Sequence, residues 1–190
     1  MTEEEKALSG QTYNSADPAL CRKRAYAAEL CMAYNRTLDG EAREKILGDL
    51  LSKDSQGVTL QGPIQFTYGC NTVFGSGCYA NFNLVVLDHG GVSIGSNVMF
   101  GPNCTILTAV HPLRWQERNM QHLENGTALC CETARKVTVE DNCWIAANVT
   151  ICPGVTIGAG SVIGAGSVVV DDIPAGVFAA GVPCKVIRKI

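Results

Sequence analysis

Three histidines and ten cysteines are the side chains of this 190-residue sequence with the clearest chemical potential. Imidazole titrates near neutral pH, so a histidine can take a proton from a reacting group or bind a metal ion. No Cys-X-X-Cys pair occurs, which argues against a zinc ribbon and against a thioredoxin-like redox centre. The histidines stand at positions 89, 111 and 122, and each is compared below with the element that must position it.

The cysteines are interpreted mainly as small, buried and inert side chains. Only Cys130 and Cys131 are close in sequence, and adjacent cysteines seldom bridge each other. Residues 1–6 are acidic and polar, which is unlike a secretory signal peptide. We therefore expect a cytoplasmic protein whose thiols stay reduced.

Composition and charge exclude several classes of protein. Hydrophobic residues make up 46% of the chain and charged residues 17%, which is typical of a folded domain and not of a disordered one. No run of about 18 apolar residues predicts a membrane-spanning helix. The net charge of −3 gives no global attraction to nucleic acid, so neither a nucleic-acid partner nor a membrane partner is expected.

From about residue 58 the sequence repeats with a period of six. An aliphatic or aromatic residue begins each hexad, a small residue usually follows, and the fifth position is small or β-branched. The clearest run covers residues 139–168, and earlier runs cover 68–85 and 94–106. Helices repeat every 3.6 residues and strands every 2, so neither element explains a period of six. A solenoid of short strands does explain it, because stacked coils bury the leading residue of each hexad.

Two further positions of the hexad support the solenoid. The fifth position is expected to point inward where the coil is tight, which accounts for Cys78, Cys104 and Cys143. Glycine and asparagine at the third and fourth positions suit turns that need a positive φ. The competing interpretation, a glycine-rich β-sandwich, predicts alternating strands every 8–12 residues, which the sequence does not show.

Residues 1–57 are predicted to form an N-terminal helical segment, and residues 58–190 the repeat domain. Asp17-Pro18 is a good helix start, because aspartate caps free N–H groups and proline suits the first helical position. Asp39 is placed to cap a second helix from Glu41. Two short helices cannot form a core alone, so we expect them to pack on the repeats.

The six-residue register breaks between Ile106 and Val139, which predicts an excursion from the solenoid over about residues 107–136. It contains His111, which Pro112 restricts to an extended backbone, and also His122. A long loop that leaves a rigid repeat is a good position for a functional site. His89, near a two-residue insertion between hexads, and His122 are both expected to be exposed.

These features together resemble the hexapeptide-repeat acyltransferases. The hexads, the exit Thr-Ala-Val-His-Pro at 108–112, Trp144-Ile145 and the C-terminal residues 180–187 carry the resemblance. Tyr13-Asn14 and the basic residues 22–24 narrow it to the maltose and galactoside O-acetyltransferase branch, over about residues 8–190. It implies a left-handed parallel β-helix, a homotrimer with active sites between subunits, acetyl-CoA as donor, a sugar as acceptor and no metal.

The resemblance also implies roles for individual residues. His111 matches the general base that deprotonates the acceptor hydroxyl for direct attack on the thioester, and Asn81 matches an asparagine that contacts the acceptor or the oxyanion. An aspartate expected near the N-terminus falls on Ser15, or on Asp17 if a gap is allowed, so the identity of the sugar stays open. Further residues match positions on the acceptor side. They are Arg24, Thr67, Tyr79, Asp88 and Glu132.

The donor should lie in a groove between subunits, where small side chains let the pantetheine arm approach the backbone. A tryptophan flanks such a groove in the family, and cations near the C-terminus meet the phosphates. The matching residues are Gly101, Ala147 and Ala165 for the arm, Trp144 for the flank, and Lys185 and Arg188 for the phosphates.

Three other functions fit the same solenoid. The first is acetylation of a non-sugar acceptor such as an antibiotic or serine, although serine acetyltransferases have a much larger helical domain. The second is a zinc hydratase of the gamma carbonic anhydrase type, which needs three histidine ligands, two of them five residues apart. His89, His111 and His122 do not have that spacing. The third is a β-helix scaffold with no enzyme activity, which gives no reason for the His-Pro excursion.

Overall fold

From residue 58 onwards the chain forms a parallel β-solenoid of about six turns, in a computed structural model that describes residues 1–190. Its three faces are parallel sheets. The first face contains β2 (Val58–Leu60), β5 (Cys78–Ala80), β8 (Met99–Phe100), β15 (Trp144–Ile145), β18 (Val162–Ile163) and β20 (Val177–Gly181), followed by antiparallel β21 (Cys184–Lys189). The second contains β3 (Ile64–Phe66), β6 (Leu84–Leu87), β9 (Thr105–Leu107), β16 (Thr150–Ile151) and β19 (Val168–Val169). The third contains β4 (Thr72–Phe74), β7 (Val92–Ile94), β14 (Val137–Val139) and β17 (Thr156–Ile157).

The period of six arises because each hexad supplies one strand and one turn. The leading residue of each hexad lies directly above its counterpart one coil away, as in the stack of Ala80, Phe100, Ile145 and Ile163. These side chains are buried along the axis of the solenoid. The fifth position also points inward, as predicted, and it includes the buried Cys78, Cys104 and Cys143. The predicted fold class is therefore confirmed.

The fourth position of the hexad forms the turns. Asn83, Asn103 and Asn148 all have φ near +60°, a conformation that asparagine tolerates better than most residues. They stack at one corner, where Asn83 Nδ2 donates to Asn103 Oδ1 at 2.8 Å and Asn103 Nδ2 to Asn148 Oδ1 at 3.0 Å. The sequence preference at this position is thus explained by backbone conformation and by side-chain hydrogen bonds between coils.

Three helices precede the solenoid, where two were predicted. They are α1 (Glu3–Leu8), α2 (Pro18–Arg36) and α3 (Gly40–Leu50). Asp17 and Asp39 cap α2 and α3, as expected. The additional helix, α1, has only six residues and begins at a capping box between Thr2 and Glu5. Helices α2 and α3 cover the first coil, where the hydroxyl of Tyr34 donates to the carbonyl of Leu60.

The excursion leaves after β9 and returns at β14, and it contains its own short elements. They are β10 (Ala109–Val110), α4 (Trp115–Arg118), β11 (Gln121–His122), β12 (Ala128–Leu129) and β13 (Cys131–Ala134). Strand β13 lies between β10 and the N-terminal strand β1 (Tyr13–Asn14) in an antiparallel sheet. This outer sheet joins the N-terminal segment to both ends of the excursion.

Half of the cysteines are buried, which corrects the expectation that most of them are. The buried ones are Cys31, Cys78, Cys104, Cys143 and Cys184, while Cys21 and Cys70 are exposed. Burial raises the pKa of the Cys104 thiol to about 11, so this thiol is inert at neutral pH. All ten cysteines are free thiols. None of the helices is long and apolar enough to cross a membrane.

Replacing a leading residue of a hexad should destabilise the whole solenoid. Ile145 is fully buried and pairs with the coils on both sides, so Ile145→Ala should lower the free energy of unfolding by about 2–5 kcal/mol. Ile190→Ala makes the same chemical change at an exposed position and should cost less than about 0.5 kcal/mol. Chemical denaturation at one protein concentration measures both. Equal losses would contradict the stacked core.

Candidate active site

The outer sheet brings Tyr13, Glu132 and His111 into one row across its strands. Glu132 and His111 are two of the predicted site residues. Tyr13 on β1 lies opposite Glu132 on β13. On the other side, Ala109 pairs with Ala134 and Val110 with Thr133. The next residue after Val110 is His111, so the antiparallel register carries it to Glu132. The order Tyr13, Glu132, His111 therefore follows from strand pairing.

Glu132 is the centre of this row. Only 7% of the residue is exposed, and the hydroxyl of Tyr13 donates to its Oε2 at 2.9 Å. Its Oε1 lies 3.8 Å from His111 Nδ1, which is too long for a hydrogen bond but close enough for a charge interaction. The His111 side chain is 53% exposed and can meet a ligand. Burial and the neighbouring Glu132 raise the pKa of Tyr13, so its hydroxyl stays protonated as a donor.

Arg24 lies beside this row and is held by three contacts. Its Nη1 donates to the hydroxyl of Tyr68 at 2.9 Å, and its Nη2 donates to the carbonyl of Ser15 at 2.9 Å and to Cys21 Sγ at 3.1 Å. Burial raises the pKa of Tyr68, and the hydrogen bond from Arg24 opposes that rise. Tyr68 thus helps to fix the orientation of Arg24, the predicted acceptor-side arginine. The sequence analysis did not predict this contact.

Asp88 requires a correction, because it was expected to touch the acceptor and instead is fully buried. Its carboxylate accepts a hydrogen bond from the backbone N–H of Tyr68 at 2.8 Å and from Thr72 Oγ1 at 3.0 Å. Burial raises the pKa of Asp88, and these hydrogen bonds oppose the rise. The carboxylate is directed into the turn that carries Tyr68, so it orders that turn and has no surface left for an acceptor.

His89 also differs from its expectation, because it is half-buried, whereas His122 is exposed on β11 as predicted. The imidazole of His89 stands edge-on to the ring of Tyr68, with the ring centroids 5.2 Å apart. The signal in the sequence was the two-residue insertion between Val86 and Ile94, which lengthens this turn. The sequence did not indicate the contacts of Tyr13 and Tyr68, because their partners lie more than 40 residues away along the chain.

A second group of predicted residues lies along another corner of the solenoid. Asn81 follows β5, and its Oδ1 accepts a hydrogen bond from the N–H of Phe82 at 2.8 Å. Gly101 lies one coil below, and a Cβ there would come within 2.6 Å of the backbone nitrogen of Ala147. Close stacking of the coils therefore requires a glycine. Ala147 lies on the next coil after Gly101, and Ala165 lies exposed one coil beyond Ala147.

The second group also includes aromatic and charged residues on strands of the first face. Tyr79 lies half-buried on β5, and Trp144 lies 49% exposed on β15. Lys185 and Arg188 are exposed on β21 beyond them. Lys185 Nζ forms an ion pair with Asp171 Oδ2 at 2.9 Å, whereas the guanidinium of Arg188 lies over the ring of Phe178.

The two groups are not brought together within one chain. Thr67, Arg24, Glu132 and His111 lie where the second face meets the third, whereas Asn81 lies where the first face meets the second. Strand β6 separates these corners, and four extended residues span about 13 Å. A cavity of about 810 Å³ between α3 and β2 shares no residue with either group. The predicted site residues are therefore divided over two corners.

The structure contains no group of three histidine, cysteine, aspartate or glutamate side chains arranged to hold a metal ion. His111 lies 3.8 Å from Glu132 and His89 packs against Tyr68, but His122 lies on β11 in the exposed part of the excursion. The histidine set that a zinc hydratase would need is not assembled. The arrangement instead offers an exposed imidazole with a buried carboxylate behind it, which is suited to general-base chemistry.

Family models match three parts of the chain. The maltose acetyltransferase hexapeptide capping motif covers residues 6–54, the six-repeat bacterial transferase hexapeptide covers 136–171, and the hexapeptide repeat of succinyl-transferase covers 91–111. The first match coincides with the helices that cover the first coil, and the other two coincide with the coils around the excursion.

Relatives match almost the whole chain. The galactoside O-acetyltransferase of Escherichia coli is 37% identical over 98% of this chain and 88% of its own length. The crystal structure of a maltose O-acetyltransferase from Clostridium difficile has a TM-score of 0.90 and 42% identity, over 100% of this chain and 98% of that one. A hexapeptide-repeat acetyltransferase of Vibrio cholerae complexed with acetyl-CoA has a TM-score of 0.84 and 31% identity, over 100% and 98%. The repeats, the capping helices and the outer sheet are thus those of an acyltransferase, and the chain belongs to the hexapeptide-repeat acetyltransferases, in the branch of the maltose and galactoside O-acetyltransferases.

Proposed function

We propose that this enzyme transfers an acetyl group from acetyl-CoA to a hydroxyl of a sugar, with His111 as general base. The observation that carries the proposal is the row Tyr13, Glu132, His111, in which strand register places an exposed imidazole against a buried carboxylate. The sugar O-acetyltransferases among the relatives and the acetyl-CoA complex of the Vibrio cholerae enzyme support the donor and the acceptor class.

The reaction needs a base because a sugar hydroxyl is a weak nucleophile at neutral pH. His111 Nδ1 faces Glu132, which leaves Nε2 to take the hydroxyl proton. The alkoxide oxygen forms a bond to the thioester carbonyl carbon, and the carbon–sulfur bond then breaks. The coenzyme A thiolate leaves and receives the proton from the imidazolium. Glu132 stabilises that imidazolium by charge across 3.8 Å, as a carboxylate does behind a catalytic histidine.

Asn81 is proposed to stabilise the negative charge on the thioester oxygen. Its Oδ1 already accepts from the backbone of Phe82, so the amide orientation is fixed and Nδ2 is left as a donor. Trp144 and the small residues Gly101, Ala147 and Ala165 would line the pantetheine arm. Lys185 and Arg188 would meet the phosphates through charge-assisted contacts.

The acceptor is proposed to bind between the N-terminal segment and the excursion. Residues 1–57 then act as a cap on the acceptor side, because β1 supplies Tyr13 and α2 supplies Arg24. Glu132, Thr67 and, from the other corner, Tyr79 are the remaining acceptor-side candidates. Asp88 acts behind them by ordering the turn of Tyr68.

A homotrimer is proposed because the two parts of the site lie at different corners of one chain. A neighbouring subunit that brings its Asn81 corner against the His111 corner would complete the site. Exposed apolar side chains support such contacts, since large apolar surfaces mark association sites. They are Leu113 and Trp115 on the excursion, Phe82 at the corner of Asn81, and Met99 on the first face. The ten free thiols are in keeping with the reducing cytoplasm as the place of action.

Replacing His111 should nearly abolish acetyl transfer. His111→Ala removes the base, so kcat should fall by about 10²–10⁴-fold, while acetyl-CoA binding stays unchanged. Product mass is to be followed with maltose, glucose and a methyl galactoside, with chloramphenicol and serine as non-sugar acceptors. His122→Ala, which changes an exposed histidine on β11, should keep the wild-type rate. Wild-type activity in His111→Ala would refute the base, and transfer only to chloramphenicol or serine would refute the acceptor class.

The hydroxyl of Tyr13 should matter for stability as well as for the orientation of Glu132. Tyr13→Phe leaves a buried carboxylate oxygen without its donor, so the free energy of unfolding should fall by about 1–3 kcal/mol. Tyr26→Phe removes the same atom from an exposed ring on α2 and should change it by less than about 0.5 kcal/mol. Denaturant titration measures the free energy of unfolding of both variants, and kcat for acetyl transfer is measured on the same proteins. A loss as small in Tyr13→Phe as in Tyr26→Phe would count against a tightly bound carboxylate.

Mixed trimers should show whether one active site uses two chains. His111→Ala and Asn81→Ala are each expected to be inactive, but a site formed by an intact His111 from one chain and an intact Asn81 from its neighbour should work. Co-expression with two different affinity tags, followed by purification on both, isolates the mixed trimers. Each trimer that carries both tags contains one intact site among its three, so about a third of wild-type activity is expected. Mixed trimers as inactive as the parents would place both residues in one chain.

A further inference from the structure

Cys130 directly precedes strand β13, and its side chain lies on the same side of the chain as that of Glu132, two residues further on. Its thiol donates a hydrogen bond to Glu132 Oε1, with 3.9 Å between the sulfur and the oxygen. The separation is long because sulfur is a large atom, and an S–H group is a weak donor. The mechanism above makes no use of this thiol. It gives the carboxylate behind His111 a second hydrogen-bond partner.

The carboxylate of Glu132 is held at each of its two oxygens by a different donor. The hydroxyl of Tyr13 donates to Oε2 at 2.9 Å, and the thiol of Cys130 donates to Oε1. His111 Nδ1 lies 3.8 Å from the same Oε1, which is beyond hydrogen-bond distance for a nitrogen donor. With Tyr13 as its single partner, the carboxylate would be free to turn about the contact at Oε2. The thiol is therefore the donor that fixes the direction of Oε1.

The backbone of Cys130 is bonded to the N-terminal segment, which gives the thiol a defined position. Its N–H donates to Asn14 Oδ1 at 2.8 Å. Its carbonyl accepts from the N–H of Ser15 at 2.9 Å and from the hydroxyl of Ser15 at 3.3 Å. Asn14 Nδ2 also donates to the carbonyl of Ala128 at 2.9 Å. A side chain on a backbone held at both polar groups keeps its direction, as a preorganised site requires.

We propose that Cys130 is a positioning residue, whose thiol keeps Oε1 of Glu132 directed at His111 before the reaction begins. When His111 takes the proton of the acceptor hydroxyl, the positive charge of the imidazolium then develops beside an oxygen that is already in place. No reorganisation of the carboxylate is needed at that moment, which is the advantage of a preorganised charge. The thiol itself takes no part in the proton transfer. This inference rests on the proposed function, because it needs His111 as the base.

Cys131 provides a matched control, because it is the next residue but points to the opposite side of β13. Side chains alternate along a strand, and here Glu132 and Ala134 are buried whereas Cys131 and Thr133 are half-buried. Cys130 and Cys131 are both free thiols of intermediate exposure. Replacing either one with alanine makes the same chemical change, but Cys130→Ala takes a donor from Glu132 and Cys131→Ala does not.

The experiment measures kcat and KM for acetyl transfer, with the acceptor that the wild type acetylates. Cys130→Ala should lower kcat about three- to tenfold, as the loss of one hydrogen bond from a weak donor predicts, and should leave the KM for acetyl-CoA unchanged. Cys130→Ser keeps a donor at this position and should keep kcat within about twofold of the wild type. Cys131→Ala should match the wild type in both constants.

A second pair of variants keeps the test valid if Cys130→Ala folds poorly. Threonine and valine have nearly the same shape, and both suit an extended backbone, but threonine carries a donor and valine does not. Cys130→Thr should therefore be faster than Cys130→Val by the same factor that separates Cys130→Ser from Cys130→Ala. Thermal unfolding of each variant shows which of them keep the wild-type structure.

A double-mutant cycle separates the positioning of Glu132 from a general effect on structure. Glu132→Gln removes the negative charge that the thiol directs, so Cys130→Ala should lower kcat by less than about 1.5-fold when it is added to Glu132→Gln. A structural defect at position 130 would instead lower kcat by the same factor with and without the charge of Glu132.

Three results would overturn the inference while His111→Ala stays inactive. The first is a kcat of Cys130→Ala equal to that of Cys131→Ala, which would show that Oε1 needs no thiol. The second is an equal loss in the variants with and without a donor at position 130, and the third is an undiminished loss in the Glu132→Gln background. Wild-type activity in His111→Ala, or a wild type that acetylates no acceptor, would refute the proposed function together with the inference.

Discussion

The structure depends on one constraint, which is that each hexad must place its leading side chain on the axis of the solenoid, above the one before it. Ile145 shows the consequence, because it is paired on both sides and fully buried. The constraint leaves no room for variation inside the coils, so any residue that acts on a ligand must point outward from a strand, lie at a corner or stand outside the solenoid. The coils therefore act as a rigid base. The excursion, which carries His111, is held on that base by additional strand pairing.

Strand β13 supplies that pairing for the site. It is clamped between β1 from the N-terminal segment and β10 from the start of the excursion, and its glutamate is the point where the three segments meet. A buried carboxylate is unfavourable without a partner, and Tyr13 provides one at 2.9 Å. Glu132 is buried behind His111, and the imidazole of His111 is exposed. The N-terminal cap and the excursion are thus parts of one arrangement, although Tyr13 and Glu132 are 119 positions apart in the sequence.

Prediction from the sequence succeeded where the backbone conformation or hydrogen bonding of nearby residues determines the residue type. The fourth residue of each hexad, such as Asn148, was predicted from its tolerance of a positive φ, and Asp17 from its ability to cap α2. Prediction failed where a side chain had two possible directions at a turn. Asp88 and His89 are adjacent, and the sequence does not reveal that the carboxylate accepts from the backbone of Tyr68 while the imidazole packs against the ring of the same residue. The short α1 was missed because six residues carry too little periodicity.

The sequence by itself determined the solenoid, its limits, the capping helices and the position of the excursion, because burial on an axis and backbone conformation at a turn are local properties that repeat every six residues. Its resemblance to a family also indicated His111 and Asn81. Only the tertiary structure decided that Tyr13, Glu132 and His111 form one row, that Asp88 is buried, and that Asn81 lies at another corner. The physical reason is that these relations arise from strand pairing between distant segments, and no local pattern in the sequence encodes which distant strands will meet.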